Sequence, residues 1–386
     1  MTRTRVLQDP SGKTWATRCD GPDVIVRTGA PGKEKESTKT LADARAAIVH
    51  AQKEEWSRLK KGFVLVDAEA AAGEPRMHRY LGAGYTGAMP VADWNGRLLC
   101  SRNLASELHR QAAGRDQMVV IDAGAQEVDA FEAPENTLVW KALHMPSPDR
   151  LLLRADHGVL AWSPATRGFE TLAKKNPKPA SFLSVAGTRA AWFEQPALVV
   201  RDLSAATTAN AELFSRQAEP QLFGGHSSQM EGALSSRGIL AFCTQAGEVQ
   251  FAEVQGGATR PAWTGDFDMV DKLAFSPDGR WLLAKERYGH WTLLCFDMQA
   301  AAPRADWPAL GDLGNGDFAL DPAGERLAIA HRGHVDVYEF ATMKPLLRFP
   351  VDHVVKRCTI AWIGSDAIGV RTDYGCASLY AVNAAA

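Results

Sequence analysis

Long apolar runs are missing from this sequence of 386 residues. None approaches the roughly 20 residues that a membrane-spanning helix needs, and the first residues lack the apolar stretch of a secretory signal. We therefore expect a cytoplasmic protein that does not enter a membrane. Cysteines are few and lie far apart, which indicates buried, reduced thiols and neither disulfides nor a zinc site. They stand at positions 19, 100, 243, 295, 358 and 376.

The common catalytic motifs are also missing. The sequence has no Gly-x-Ser-x-Gly elbow, no phosphate-binding P-loop, no dinucleotide fingerprint and no His-Glu-x-x-His pair. His331 and His334 are close in sequence, but they fall in a predicted turn with no third ligand evident, so we interpret them as solvated turn residues. The sequence therefore predicts a protein that is not an enzyme and that binds no cofactor or metal.

A repeat is the main feature that the sequence does contain. A strand-like run that ends in a polar or acidic residue occurs seven times, at intervals of 39 to 51 residues. Each run follows a tight turn and a second short apolar strand. This period is typical of the four-stranded blades of a β-propeller. The runs end at Asp122, Ser163, Asp202, Glu253, Asp297, Glu339 and Asn383.

The repeat predicts a mainly β fold, with a seven-bladed β-propeller over residues 76–386. Continuous apolar runs, such as the three leucines at 151–153, fit sheets that bury both faces against neighbouring blades. The last blade lacks an outer strand, because only three alanines follow Asn383. We expect residues near 74–81 to supply that strand, which joins the two ends of the ring and removes an exposed edge.

Two of the turn motifs resemble blades of the WD-repeat superfamily and related bacterial propellers. They are FSPDGRWLL at 275–283 and DPAGERLAI at 321–329. The Gly-His and Trp-Asp signatures of true WD repeats are missing from most blades, which leaves the subfamily open.

The first 67 residues predict a separate small α+β domain, joined by a short linker at 68–75. Alternation in TWATR and DVIVRTG predicts two strands, and apolar residues three and four apart predict a helix from Leu41 to Lys60. Trp15, the strand at 24–27 with its Gly-x-x-Gly turn, and the closing segment at 59–63 resemble the WGR domain. That module occurs in bacterial proteins and in DNA-dependent poly(ADP-ribose) polymerases.

The WGR motif itself is degenerate in this chain. In the polymerases, an aromatic residue and an arginine of the motif contact a DNA end, but Thr28 and Ala30 stand at those places here. The resemblance therefore implies a retained fold without the DNA contact. Basic residues of this head leave nucleic-acid binding as an alternative, although interleaved glutamates favour a solvated, ion-paired surface. The basic candidates are Arg27, Lys33, Lys35, Lys60 and Lys61.

Two long loops predict where a partner protein binds. They span 103–117 and 215–232, and loops that project from a rigid scaffold often carry recognition. Tryptophans at strand ends are further candidate anchors. The loop candidates are His109, Arg110, Arg115, Arg216, Phe223 and His226.

These features favour a non-enzymatic scaffold of the bacterial cytoplasm. Such a scaffold is an assembly factor or the neutralising, immunity-type partner of a toxin. Nucleic-acid binding by the WGR-like head is one alternative. A propeller hydrolase of the lactonase kind is a second, and it requires acidic, Asn or His residues that converge in the central channel.

Overall fold

The computed structural model describes residues 4–82, 89–102, 116–134, 138–156, 158–174, 182–194, 196–204, 211–219, 221–223, 227–245, 248–264, 269–287 and 289–383. The chain divides into two compact units. The first comprises Met1–Glu135, Arg332–Val337 and Leu346–Ala386, and the second comprises Asn136–His331 and Tyr338–Pro345. Among the described residues there is one helix, and it is not long and apolar enough to cross a membrane.

The N-terminal segment is a small antiparallel sheet packed on this helix. Its elements are β1 (Arg5–Gln8), β2 (Thr14–Asp20), β3 (Asp23–Gly29), β4 (Lys35–Thr40), α1 (Ala44–Leu59), β5 (Val64–Val66) and β6 (Pro75–Tyr80). Buried and more exposed residues alternate along β2, and Trp15 lies in the core. The helix starts later than predicted because Asp43 caps it: Oδ1 of Asp43 accepts a hydrogen bond of 2.7 Å from the Ala46 N–H.

Six separate four-stranded antiparallel sheets follow, in a β-propeller arrangement, and each strand pairs with the next along the chain. The first sheet contains β7 (Val91–Trp94), β8 (Arg97–Arg102), β9 (Gln117–Ile121) and β10 (Glu127–Glu132). The second contains β11 (Val139–Pro146), β12 (Asp149–Ala155), β13 (Gly158–Ser163) and β14 (Gly168–Lys174). The third contains β15 (Leu183–Ala186), β16 (Arg189–Glu194), β17 (Ala197–Asp202) and β18 (Glu212–Gln217).

A two-stranded hairpin, β19 (Gln221–Phe223) and β20 (Ser227–Gln229), precedes the fourth sheet. The fourth sheet contains β21 (Glu231–Leu234), β22 (Ile239–Gln245), β23 (Glu248–Glu253) and β24 (Thr259–Thr264). The fifth contains β25 (Val270–Phe275), β26 (Trp281–Glu286), β27 (Leu293–Asp297) and β28 (Ala302–Pro303). The sixth contains β29 (Asp317–Leu320), β30 (Arg326–Ala330), β31 (His334–Glu339) and β32 (Lys344–Pro350).

The last three strands are β33 (Cys358–Ile363), β34 (Ala367–Thr372) and β35 (Cys376–Ala381). They belong to a nine-stranded sheet in the order β33-β34-β35-β6-β5-β1-β2-β3-β4. In it β6 pairs antiparallel with β35, where Met77 is opposite Leu379. The described residues thus contain six separate blades and not the seven predicted. The reason is that β6 also pairs with β5, so the last strands are continuous with the N-terminal sheet.

Turns of neighbouring sheets contact one another within the second unit. The first strands of these sheets pack side by side, β11 on β15, β15 on β21 and β21 on β25. At the turns that follow, Arg189 donates to the carbonyl of Ser236 at 2.9 Å, and Ser236 Oγ donates to the carbonyl of Pro277 at 2.8 Å. In the next turn Gly324, at φ +74°, lies so near Pro277 that a Cβ there would be 3.0 Å from its ring. We call this row of contacting turns the turn rim.

Apolar side chains fill the space between adjacent sheets. Between the fourth and fifth sheets, for example, the Phe296 ring stacks on Phe251 and on Trp263, with ring centroids 5.5 and 5.0 Å apart. The six cysteines are all buried and unbridged, which confirms the prediction of buried thiols.

Candidate functional site

A surface pocket of about 470 Å³ lies on the second unit, at the turn rim. It is formed by the turns that follow β25, β29 and β31 and by the segment after β28. Both motifs that resemble WD-repeat blades contribute to it. The lining residues are Arg280, Trp281, Arg304, Asp306, Gly324, Phe340 and Ala341.

Aspartates shape the two turns that frame this pocket. Oδ1 of Asp278 accepts hydrogen bonds from Ser276 Oγ at 2.5 Å and from the Arg280 N–H at 3.0 Å. Oδ1 of Asp321 accepts from the Glu325 N–H at 2.7 Å. Such side-chain bonds satisfy backbone donors that a tight turn leaves unpaired, so these turns are locally determined by their Asp residues.

Arg304 forms the floor of the pocket, and its side chain is only 5% exposed. Nε and NH2 donate to the two carboxylate oxygens of Asp306 at 2.7 and 3.1 Å, and NH1 donates to the Phe340 carbonyl at 2.9 Å. The Ala341 carbonyl accepts a further bond from NH2. Because each nitrogen of this guanidinium already donates, Arg304 is a structural part of the pocket.

The Arg304–Asp306 pair keeps its charges. Burial alone would lower the pKa of Arg304, but the hydrogen bond and charge of Asp306 outweigh it and raise that pKa. The same hydrogen bond lowers the pKa of Asp306. Both groups therefore stay ionised at neutral pH.

Trp281 forms the wall of the pocket between two guanidinium groups. The Cζ atom of Arg280 is 4.4 Å from the ring centroid and that of Arg304 is 4.9 Å away. Unlike Arg304, the Arg280 side chain is 43% exposed, and its NH2 donates to Asp297 at 3.2 Å. Its buried Nε has no hydrogen-bond partner among the described residues. Since arginine has five N–H donors, Arg280 can donate to an acceptor that enters the pocket.

The chemistry of this pocket suits recognition. Tryptophan and arginine dominate the binding energy of protein interfaces, and here Arg280 ends a turn and Trp281 begins β26. The lining residues include no Ser, Cys, His or Lys.

A further set of charged side chains lies on β25, β26 and β29 of the second unit. Lys272 Nζ is 2.7 Å from Asp317 Oδ1, and Lys285 Nζ is 2.9 Å from Asp271 Oδ2. Burial and the charge of Lys272 lower the pKa of Lys141 to about 8. These are lysine–aspartate ion pairs, and the hydrolase alternative stays a prediction.

Two of the six residues predicted to bind a partner are among the described residues. His109, Arg110, Arg115 and His226 are outside the described residues. Arg216 lies near the end of β18, with its guanidinium 5.7 Å from the Phe242 ring, and it does not line the pocket. Phe223 ends β19, where its backbone pairs with Ser227. This surface stays a separate prediction.

The basic residues of the head lie on the hairpin of β3 and β4 and in the segment after α1. Arg27 and Lys35 are on β3 and β4, with Lys33 in the turn between them, while Lys60 and Lys61 follow α1. Arg27 forms a 2.9 Å ion pair with Glu36, as an ion-paired surface requires. The Lys60 ammonium is 5.9 Å from the Trp56 ring. Nucleic-acid binding through these residues also stays a prediction.

The sequence did not predict Arg280, Arg304 and Asp306 as site residues. One feature of the sequence did indicate Arg280, namely an Arg-Trp pair directly after a tight turn. Residues at the start of a strand lie beside the turn, so their side chains can face the turn rim. Arg304 and Asp306 come from a segment without any feature of the repeat, so nothing in the sequence placed them beside Trp281.

Comparison with known proteins supports the fold alone. No family model matches the sequence, and no curated protein matches it. Among solved structures, a chain of a mitotic checkpoint complex is similar, with a TM-score of 0.61 and 12% identity, over 82% of this chain and 97% of that chain. Kluyveromyces lactis Hsv2 is similar with a TM-score of 0.51 and 12% identity, over 74% of this chain and 91% of that chain. A variant of that protein with loop 6CD replaced by a Gly-Ser linker gives the same TM-score and identity, over 74% and 90%. At such low identity these similarities show that the chain has a β-propeller fold.

Proposed function

We propose that this protein is a non-enzymatic protein-binding scaffold, and that the pocket around Arg280 and Trp281 is part of its binding surface. The observation that supports the proposal most is the stack of Arg280 on Trp281 at 4.4 Å, with the Arg280 side chain 43% exposed. Buried Arg304 and the turn rim hold this stack in place, so binding orders few groups and loses little conformational entropy.

The partner segment that fits this pocket carries a carboxylate next to an apolar side chain. The carboxylate accepts charge-assisted hydrogen bonds from Arg280, and the apolar group contacts the half-buried Trp281 ring. All three nitrogens of Arg304 already donate and its side chain is only 5% exposed, whereas the Arg280 side chain is 43% exposed, so recognition of the acidic group falls to Arg280.

Three finer proposals accompany this function. The strands β33, β34 and β35 with β6 act as a seventh blade, which the antiparallel pairing of β6 with β35 supports. The N-terminal strands and α1 are a WGR-like domain that docks protein instead of DNA. The whole protein works in the bacterial cytoplasm as an assembly factor or a toxin-neutralising partner.

A charge reversal with a matched control tests the binding surface. Tagged full-length protein with Arg280→Glu is compared with Arg260→Glu by co-purification and quantitative mass spectrometry from the native host. Arg260 is a fair control because it is 41% exposed and is likewise paired with one carboxylate, Glu253, at 2.8 Å. We expect Arg280→Glu to lose a bound protein that Arg260→Glu retains. With that partner purified, its Kd should weaken at least about tenfold, which is about 1.4 kcal/mol.

A third variant, Arg216→Glu, separates the two candidate surfaces. Loss of the partner by Arg216→Glu alone would contradict the pocket and support the predicted loop surface. Failure of the wild-type chain to capture any protein would count against the scaffold itself.

A further inference from the structure

A cluster of metal-binding side chains is buried in the first unit. Glu55 comes from α1, His78 from β6, and His353 from the link between β32 and β33. The side chains of Glu55 and His78 are fully buried, and that of His353 is 4% exposed. One ligand atom from each of the three lies within 4.8 Å of the other two.

The separations between these atoms are close to those of a zinc site. Glu55 Oε1 is 2.9 Å from His353 Nε2 and 3.9 Å from His78 Nε2. Tetrahedral zinc with bonds of about 2.0–2.1 Å holds its ligand atoms about 3.3 Å apart. These two values lie on both sides of that distance, and the third pair, His78 and His353, has ligand atoms within 4.8 Å of each other. Asp352 Oδ2, at 3.3 Å from His78 Nε2, is the nearest candidate for a fourth ligand.

Neighbouring groups hold both imidazoles in place for this role. His78 Nδ1 is 2.7 Å from Ser378 Oγ, and an N–H at Nδ1 that donates to this oxygen leaves the Nε2 lone pair directed to the cluster. The His353 ring stacks on Trp56, with the ring centroids 5.0 Å apart and the planes at 27°. Metal-ligating histidines require imidazole rings whose orientation is fixed by neighbouring groups in this way.

The ionised groups of the cluster carry an excess of negative charge. Arg5 contacts both carboxylates, at 2.9 Å from Asp352 and 3.3 Å from Glu55. With both imidazoles neutral, two carboxylates and one guanidinium leave a net charge of −1 in a buried place, which is costly. A cation bound at the cluster would offset this negative charge.

We propose that Glu55, His78 and His353 bind a divalent transition-metal ion, for which zinc is the best match. Two imidazoles and a carboxylate are a common zinc donor set. The ion ties α1, β6 and the link before β33 together. This proposal is independent of the protein-binding pocket, which lies on the other unit.

A cobalt titration of the full-length protein tests the site. Protein stripped of metal with a chelator is titrated with Co²⁺, whose tetrahedral complexes absorb visible light strongly, and Zn²⁺ is then added. We expect one cobalt per chain and an absorption that zinc removes. Because both imidazoles must be deprotonated to bind, the apparent affinity should fall as the pH is lowered.

Substitutions identify the ligands. Glu55→Gln and His353→Gln should each abolish the cobalt absorption. Arg5→Met should strengthen binding by at least about tenfold, because the guanidinium no longer opposes the incoming cation. His144→Gln is the control, since His144 is also mostly buried and also contacts a carboxylate, Asp149, at 2.8 Å, but lies on the second unit.

Three results would overturn the proposal. One is the absence of a tetrahedral cobalt spectrum in the wild-type protein. Another is an unchanged spectrum in folded Glu55→Gln and His353→Gln. The third is loss of the spectrum in His144→Gln. Should both Gln variants unfold, the wild-type titration and the Arg5→Met affinity decide the question.

Discussion

Arg5 shows how a single residue determines the electrostatics of the first unit. Its side chain is 16% exposed and it contacts the buried Glu55 and Asp352. Burial alone would raise the pKa of both carboxyls. For Asp352, the positive charge of Arg5 outweighs burial and holds the pKa below its usual range. For Glu55, the hydrogen bond from His353 and the charge of Arg5 do the same. The two carboxylates are thus ionised in the folded protein.

Replacing Arg5 should destabilise the protein far more than replacing an exposed arginine. We expect Arg5→Met to lower the free energy of unfolding by about 3 kcal/mol at pH 7 without added metal, because two buried carboxylates lose their cation. Arg27→Met is the control: Arg27 also pairs with a glutamate, but its side chain is 63% exposed, so the loss should be below about 1 kcal/mol. Urea unfolding measures both.

The effect of Arg5→Met should depend on pH in a defined direction. The folded-state pKa values of Glu55 and Asp352 are lowered, so the stability they contribute is present above their unfolded-state values, at about pH 4, and is lost as the pH falls. The difference between wild type and Arg5→Met should therefore narrow towards pH 3. A constant difference from pH 7 to pH 3 would contradict this account.

Strands and turns of the repeat were predictable from sequence because they depend on residues that are near one another in the chain. Both strands of every predicted pair are present, from β8 and β9 to β34 and β35. Tight-turn residues fix the reversals, and apolar runs mark strands buried on both faces. In contrast, β4 (KESTKT) is exposed along its whole length and has no apolar pattern; pairing with β3 makes it a strand.

The sites were less predictable because they combine residues from distant segments. Glu55 and His353 are separated by 298 residues, yet their side chains are 2.9 Å apart. Likewise Arg304 donates to the carbonyl of Phe340, which is 36 residues further along the chain. No spacing or motif encodes such contacts, since they follow from how the sheets pack.

The N-cap of α1 is the local determinant of where this element begins. Asp43→Ala should lower the free energy of unfolding by about 1 kcal/mol, because the Ala46 N–H loses its 2.7 Å acceptor. Asp43→Asn keeps a side-chain oxygen at that position and should change stability by only a few tenths of a kcal/mol. Thermal unfolding followed by circular dichroism compares the two, and equal losses would show that the cap contributes nothing.

At the scale of the whole chain, β6 connects the N-terminal segment to the C-terminal strands. It pairs with β35 on one side and with β5 on the other. Met77 in β6 and Leu81 just after it are 0% and 2% exposed, and they pack in the same cluster as Leu379. This arrangement places residues from both termini in one core.

Two deletions isolate the contribution of β6. Both a chain of residues 68–386 and a chain of residues 83–386 lack β1 to β5 and α1, but only the second lacks β6. We expect the second to be less stable by about 2 kcal/mol for each of Met77 and Leu81, and to aggregate through the uncovered edge of β35. Size-exclusion chromatography and Tm measure the difference. Equal monomer fractions and equal Tm values would show that β6 is dispensable.

The buried thiols give the protein its own set of local probes. They are distributed over β2, β8, β22, β27, β33 and β35. Burial raises the pKa of Cys100, Cys295 and Cys376 to about 12, so the reactive thiolate is scarce while these strands stay closed. Alkylation of each thiol must then wait for its own strand to open. The labelling rates of the native protein would thus report how often each sheet opens, without any introduced label.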